Sequence, residues 1–434
     1  MNTHGVELVT VELPYGQGQL RFDAPKENLL AVVEPPDVAP MRDVAACVRQ
    51  AVRQPLGTPP LRELVRPGQK VVVLIDDNTR ATPQHEILPA LLQEIEDVTR
   101  NLDIKILIAS GTHRAMTPDE IRRKVGADIA ACYTIVNHQW ANEANLVHLG
   151  VTPNGTPIQV NRLVTEADLV VAVGGTVPHC LAGWAGGAKI IQPGVCGQAT
   201  TNMTHALNMV SPIPHLGRLD NPMRQEIEEI VKLVPLHFMI NAVLDRHGRI
   251  VHLVAGEPQQ SHRRSVELAK AIWVVPVPAL GDIVVVSSHP GDIDYWQGIK
   301  GLFAAELIVK RGGDIILATP CPERISGTAE HVQSMTAMAG LPSKAMRHEA
   351  ERRGITDLAG VNTAVVAARI NELAWVSVYS DGLTDEDLRV LGHERATTVQ
   401  QALQHAFERQ GPKAKVIVIT HGGDLCPVLA SKLV

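Results

Sequence analysis

Short runs of Val, Ile and Leu recur along the chain, separated by stretches whose apolar positions repeat with helical spacing. Strands are predicted at residues 70–75 (KVVVLI), 104–109 (IKILIA), 169–173 (LVVAV), 283–287 (IVVVS), 314–318 (DIILA), 375–379 (WVSVY) and 415–419 (KVIVI). Their continuous apolar character fits strands buried on both faces. Alternation with helices gives mainly parallel α/β sheets. Helices are predicted over 85–100 and 397–409. The segment Thr117-Pro-Asp-Glu120 is a capping box, and Asn221-Pro222 opens another helix with proline at its first position. Residues 236–245 and 249–256 flank Arg-His-Gly and predict a β-hairpin.

A length of 434 residues exceeds one ordinary core and predicts two α/β domains. The run VVPVPALG at 274–281 lacks helical period and reads as the linker. The expected division is an N-terminal cofactor-binding domain over 1–273 and a C-terminal domain over 282–424. The last residues, about 425–434, are expected to return to the first domain. Aromatic residues make up only 3% of the chain, so the cores must be built from Val, Ile, Leu and Ala.

A formal charge of −6 with no basic tract offers no footprint for nucleic acid. No apolar run reaches membrane-span length, and the first residues carry no signal-peptide pattern, so a cytoplasmic protein without membrane partners is expected. The six cysteines are scattered and form no C-x-x-C pair. They read as reduced thiols rather than as a disulfide frame or zinc knuckle.

Polar clusters follow the carboxyl ends of the predicted strands. DDNTR follows the first, SGTHR the second, GGTVPH the third and SHPGD the fourth. Open parallel sheets bind ligands outside these ends, and two such edges facing each other would make an interdomain cleft. In the first cluster, Arg80 suits a carboxylate through its fork geometry and Asp77 can orient a ribose or a neighbouring side chain. The alternative is a strand-end pair that caps the next helix. His113 reads either as an acid/base at a cleft edge or as a loop histidine.

The densest chemistry lies between His179 and His205. Gly186, Gly187 and Lys189 form A-G-G-A-K, which suggests an anion-binding turn but fails the P-loop pattern because Ile190 follows the lysine. His205 stands either as a ligand or as a satisfied helix histidine. Gln297 and Lys300 are three apart, so on one helical turn they face the same way. His289, Asp292 and Asp294 nearby stay undecided.

Taken together, DDNTR, GTHR, PHCLAGWAGGAK, THAL and DYWQGIKG resemble the lactate racemase family in order and approximate spacing, over nearly the whole chain. The resemblance implies a two-domain α/β fold and a nickel-pincer nucleotide. His205 would ligate nickel and Lys189 would hold the pyridinium cofactor covalently. Gly186 and Gly187 would lie on the cofactor's turn, with Asp77 beside the site. Arg80, Gln297 and Lys300 would bind substrate, while His113 and His179 would work on opposite faces of it.

The implied reaction inverts C2 of a 2-hydroxycarboxylate through a 2-keto acid, with transient partners that mature the cofactor. Losing hydride from C2 avoids building a carbanion beside a carboxylate. Cys180, Leu181, Trp184 and Trp296 depart from the residues of lactate racemase itself and leave the substrate's side chain open. Two competing readings are a dehydrogenase or lyase with another cofactor and a non-catalytic binder of a small acid or nucleotide. The absence of G-x-G-x-x-G after a strand weighs against a dinucleotide.

Overall fold

A computed structural model describes residues 7–209, 211 and 213–432. The chain divides into two compact units. The mid-chain unit comprises Pro36–Asn208 and Arg218–Ile272. The terminal unit comprises Met1–Pro35, Met209–Gly217 and Trp273–Val434.

The break after Ile272 falls next to the expected 274–281 boundary, but Met1–Pro35 and Met209–Gly217 group with the terminal unit rather than with the first domain. The strand Leu29–Val33 pairs in parallel with Val416–Ile419, which carries the start of the chain into the terminal unit. The hairpin Leu8–Tyr15/Gly18–Pro25 belongs there too, with Val11, Leu13, Phe22 and Ala24 in that unit's core. The expected linker is itself structured. Val274–Val277 pairs in parallel with Cys426–Leu429, so the end of the chain also stays with the terminal unit.

The mid-chain unit holds a six-stranded sheet in the order Ile250–Gly256, Phe238–Leu244, Leu169–Gly175, Lys70–Asp76, Asp103–Ala109, Thr134–Asn137. All neighbours run parallel except the first pair, which is the predicted hairpin. Successive residues of Lys70–Asp76 feed opposite cores, as the pleat requires. Val71, Val73 and Ile75 pack with Ile87, Leu88 and Leu91 of the helix Gln84–Glu96. Val72 and Leu74 pack with Ile158, Ile191 and Ile230 on the other face. Both faces are covered, which explains the unbroken apolar runs.

The terminal unit repeats the plan with a fully parallel sheet. Its order is Glu394–Arg395, Trp375–Tyr379, Val309–Ala318, Gly281–Ser287, Val416–Ile419, Leu29–Val33. Ile283, Val285, Ile316 and Val418 pack against Leu403, Ala406 and Phe407 of the helix Val399–Gln410. The predicted caps form as read: Thr117 and Glu120 exchange both bonds of a capping box, and the Asn221 side chain accepts from Arg224 N. No helix among the described residues is long and apolar enough to cross a membrane.

Candidate active site

In the mid-chain sheet the chain order reverses beside Lys70–Asp76, which sits between Leu169–Gly175 and Asp103–Ala109. A strand-order switch of this kind opens a crevice at the carboxyl ends. Three predicted clusters leave the sheet there. Asp77 and Arg80 follow Lys70–Asp76, His113 follows Asp103–Ala109, and His179 follows Leu169–Gly175.

His113 Nδ1 donates to Asp77 Oδ2 at 2.7 Å. The other carboxylate oxygen accepts from the Thr79 hydroxyl at 2.5 Å and from Thr79 N at 3.2 Å. Burial by itself pushes the Asp77 carboxyl upward. The His113 charge and hydrogen bond, with Arg80 and Thr79, outweigh it and hold the group well below the usual carboxylate range. An ionised Asp77 can only accept, so it turns Nδ1–H of His113 toward itself; in the neutral imidazole the lone pair is then on Nε2, the arrangement of a general base. Arg80 Nη1 bonds the Thr79 carbonyl at 3.1 Å and its hydroxyl at 3.0 Å, which turns the guanidinium back over the same loop.

Asp76, which the sequence reading passed over, anchors this loop. It accepts from Thr82 at 2.5 Å and Gln84 at 2.9 Å, pairs with Lys124 at 3.0 Å, and accepts from Gly175 N at 3.3 Å. The adjacent strand is thereby tied to the Asp77–Arg80 turn. The doubled aspartate at a strand end was the available signal.

His179 sits on a two-residue ladder in which Pro178 faces Trp184 and His179 faces Gly183. Its Nδ1 accepts from Leu181 N and Ala182 N, both at 3.2 Å. Trp184 is fully buried, so it packs inside the fold.

Gly186 and Gly187 have φ of 83° and 58°, the left-handed region that favours glycine. A Cβ at Gly186 would meet Thr176 Oγ1 at 2.8 Å, and one at Gly187 would meet the His262 ring at 2.6 Å. The Gly187 amide donates to Asn241 Oδ1 at 3.1 Å. Close packing and turn geometry therefore account for both glycines, and the Gly187 N–H is engaged within the protein rather than presented to an anion. Lys189 follows on the 3₁₀ turn Gly187–Ile190.

His205 lies on the helix Gln198–Met209 and is 8% exposed. Its Nδ1 donates to the Thr201 carbonyl at 2.8 Å, leaving the lone pair on Nε2. Metal-binding histidines characteristically donate their second ring nitrogen in this way. No group of three or more His, Cys, Asp or Glu side chains among the described residues could hold a metal ion.

Gln297 and Lys300 belong to the terminal unit. Gln297 lies on the short helix Tyr295–Gly298, whose cap Asp294 accepts from Gln297 N at 2.9 Å. Lys300 opens the next helix, Lys300–Glu306, with Ile299 joining the two. They sit on consecutive short helices rather than on one continuous helix. Ser288 Oγ and His289 Nδ1 both reach Asp292, at 2.7 and 2.9 Å, so Asp292 organises that strand-end loop.

Residues 15–217 match the lactate racemase N-terminal domain, and residues 277–425 match the lactate racemase C-terminal domain. Lactate racemase of Lactiplantibacillus plantarum is 30% identical over 423 residues, covering 96% of this chain and 99% of that protein. Lactate racemase of Thermoanaerobacterium thermosaccharolyticum is 33% identical over 327 residues, covering 74% and 76%. The structure of the apoprotein from the latter organism superposes with a TM-score of 0.87 at 29% identity, covering 96% of this chain and 100% of that one. With both family domains matched in order, the chain belongs to the lactate racemase family, whose named members are isomerases.

Proposed function

We propose that the protein inverts C2 of a 2-hydroxycarboxylate, lactate or a related and larger acid, with a nickel-pincer nucleotide as cofactor. The observation that carries this reading is the His113–Asp77 pair, a base whose Nε2 lone pair is set by a buried carboxylate. The donor chemistry supports the cofactor. With Nδ1 of His205 directed at the Thr201 carbonyl, Nε2 is the ring nitrogen that would ligate the metal, and Lys189 would hold the organic part of the group. A metal whose remaining donors belong to an organic ligand suits that set.

When bound, this group would supply reversible hydride acceptance at C2. The chain's own residues do the rest. Arg80, Gln297 and Lys300 hold the carboxylate and hydroxyl. His113 takes the hydroxyl proton at Nε2 as the carbonyl of a 2-keto acid forms, and His179 serves the opposite face. Lys189 tethers the cofactor, and maturation enzymes are transient partners.

The test is to prepare the protein with those maturation enzymes, measure nickel and intact mass, and assay a panel of enantiopure 2-hydroxy acids. Interconversion that tracks nickel content, with a mass increase lost in Lys189→Ala, is expected. Activity in nickel-free protein supplied with NAD alone would sink the reading.

A further inference from the structure

Arg224 is 2% exposed, and its position is electrostatically poor. It occupies the first turn of the helix Pro222–Val231, where the helix dipole disfavours a cation. Its Nη1 has no hydrogen-bond partner among the described residues. Burial pulls the guanidinium down to about 10, with Glu228 the carboxylate that opposes the shift. Enclosing a cation without a close counter-ion is costly, because the lost hydration is not replaced by an opposite charge.

What the guanidinium holds is the turn that carries His179. Arg224 Nε donates to the Ala182 carbonyl at 3.2 Å, and Nη2 donates to the Trp184 carbonyl. Gly183 between them has φ of 77°, and its hydrogens face the Arg218 carbonyl so closely that a Cβ would lie 1.7 Å from that oxygen. The Asn221 amide fixes the same carbonyl from behind at 2.6 Å. Peptide N–H groups of the same turn, from Leu181 and Ala182, point at His179 Nδ1. An imidazole nitrogen that accepts two N–H bonds carries no proton, so the ring proton lies on Nε2. His113 has the opposite arrangement, with its proton on Nδ1.

We infer that Arg224 is a positioning residue: by gripping the Ala182 and Trp184 carbonyls it locks His179 in the Nε2–H tautomer, opposite to that of His113. The substrate hydroxyl thus meets a lone pair from one imidazole and an N–H from the other. The inference rests on the racemase reading for its catalytic consequence but not for the tautomer itself.

The experiment uses the full chain without cofactor, labelled with ¹⁵N-histidine, and His179→Gln to identify the His179 signals. Two-bond ¹⁵N–¹H correlations should show a single Nε2–H tautomer at His179 and Nδ1–H at His113. In Arg224→Met, which keeps the side-chain shape without its donors, His179 should pass to a mixture of tautomers while His113 is unchanged. Arg224→Lys, which keeps the charge and one donor group, should fall between and serves if the methionine variant does not fold. In cofactor-loaded protein, kcat should drop by roughly 10²-fold in Arg224→Met, the scale of misplacing a reacting group. KM should stay within about twofold, since carboxylate binding is untouched. A folded variant with an unchanged His179 spectrum overturns the inference. Loaded wild-type protein with no racemase activity would instead overturn the function reading and leave the tautomer result standing.

Discussion

His113 Nδ1 stands 2.7 Å from Asp77 Oδ2, and the second oxygen of that carboxylate is taken by Thr79. Both oxygens must therefore accept. Asparagine can accept on one side only, and its amide would face either the Thr79 donors or the His113 Nδ1–H. In Asp77→Asn we expect His113 to lose its fixed tautomer and kcat to fall roughly 10²–10⁴-fold, the usual scale for a general base. KM should change far less. A loss confined to KM in steady-state assays of both enantiomers would show that Asp77 serves binding instead.

His262 yields a prediction about acid stability. Its Nε2 donates to the Ala185 carbonyl at 2.8 Å, and its ring packs on Gly187. Burial, reinforced by the neighbouring Arg224 charge, pushes the imidazole from 6.5 down to about 3. Between those values the unfolded chain binds a proton that the folded one refuses. Stability is therefore retained above about pH 6.5 and declines as pH falls toward 3. Denaturant titrations of the apo-protein from pH 7 to 4 should show this slope. His262→Gln, which keeps a donor for Ala185, should reduce proton uptake on unfolding by about one. An unaltered slope would mean the ring is already charged in the folded state.

Gly183 separates steric from conformational cost. Gly155 has a similar φ of 84° but nothing within 4 Å of a built Cβ, whereas at Gly183 the Arg218 carbonyl blocks the position. Gly155→Ala should cost about 1–2 kcal/mol, the left-handed penalty alone. Gly183→Ala should cost clearly more and also lower racemase activity, because it forces open the turn bearing His179. Equal thermal shifts for the two variants would show that the turn yields without strain.

The strands and the hairpin were readable because burial on both faces leaves continuous apolar runs in the sequence. The clusters at strand ends were readable for a related reason: parallel sheets gather loops at one edge. Other features depended on distant partners. Leu29–Val33 looks like any apolar pentad until Val416–Ile419 is known to lie beside it. Gly186 and Gly187 suit an anion turn in sequence, and only Thr176 and His262 disclose that packing demands them. Arg224 offers no local signal, since its acceptors are carbonyls of Ala182 and Trp184 that any residue types would provide.

Trp296 and His331 form the last testable pair. Their rings stack with centroids 4.0 Å apart and planes 6° from parallel. His331 is held from behind by Asp357, whose Oδ2 lies 2.9 Å from Nδ1. Burial favours the neutral Asp357 carboxyl, but the His331 contact and the Gly360 N–H hold it below its ordinary range. Trp296 N also bonds the Ile325 carbonyl at 2.9 Å, so backbone and indole are both fixed immediately before Gln297. Loss of the platform should therefore reach the candidate substrate contact through one peptide unit. His331→Ala should cost on the order of 3 kcal/mol, as for truncating a buried ring, and should raise KM for the 2-hydroxy acid. His331→Phe keeps the stack while surrendering the bond to Asp357, and should retain most of the substrate affinity. Tryptophan emission, taken as the difference from Trp296→Phe, reports the stack directly. If emission changes in His331→Ala while KM does not, Trp296 orders the helix without positioning Gln297 for substrate.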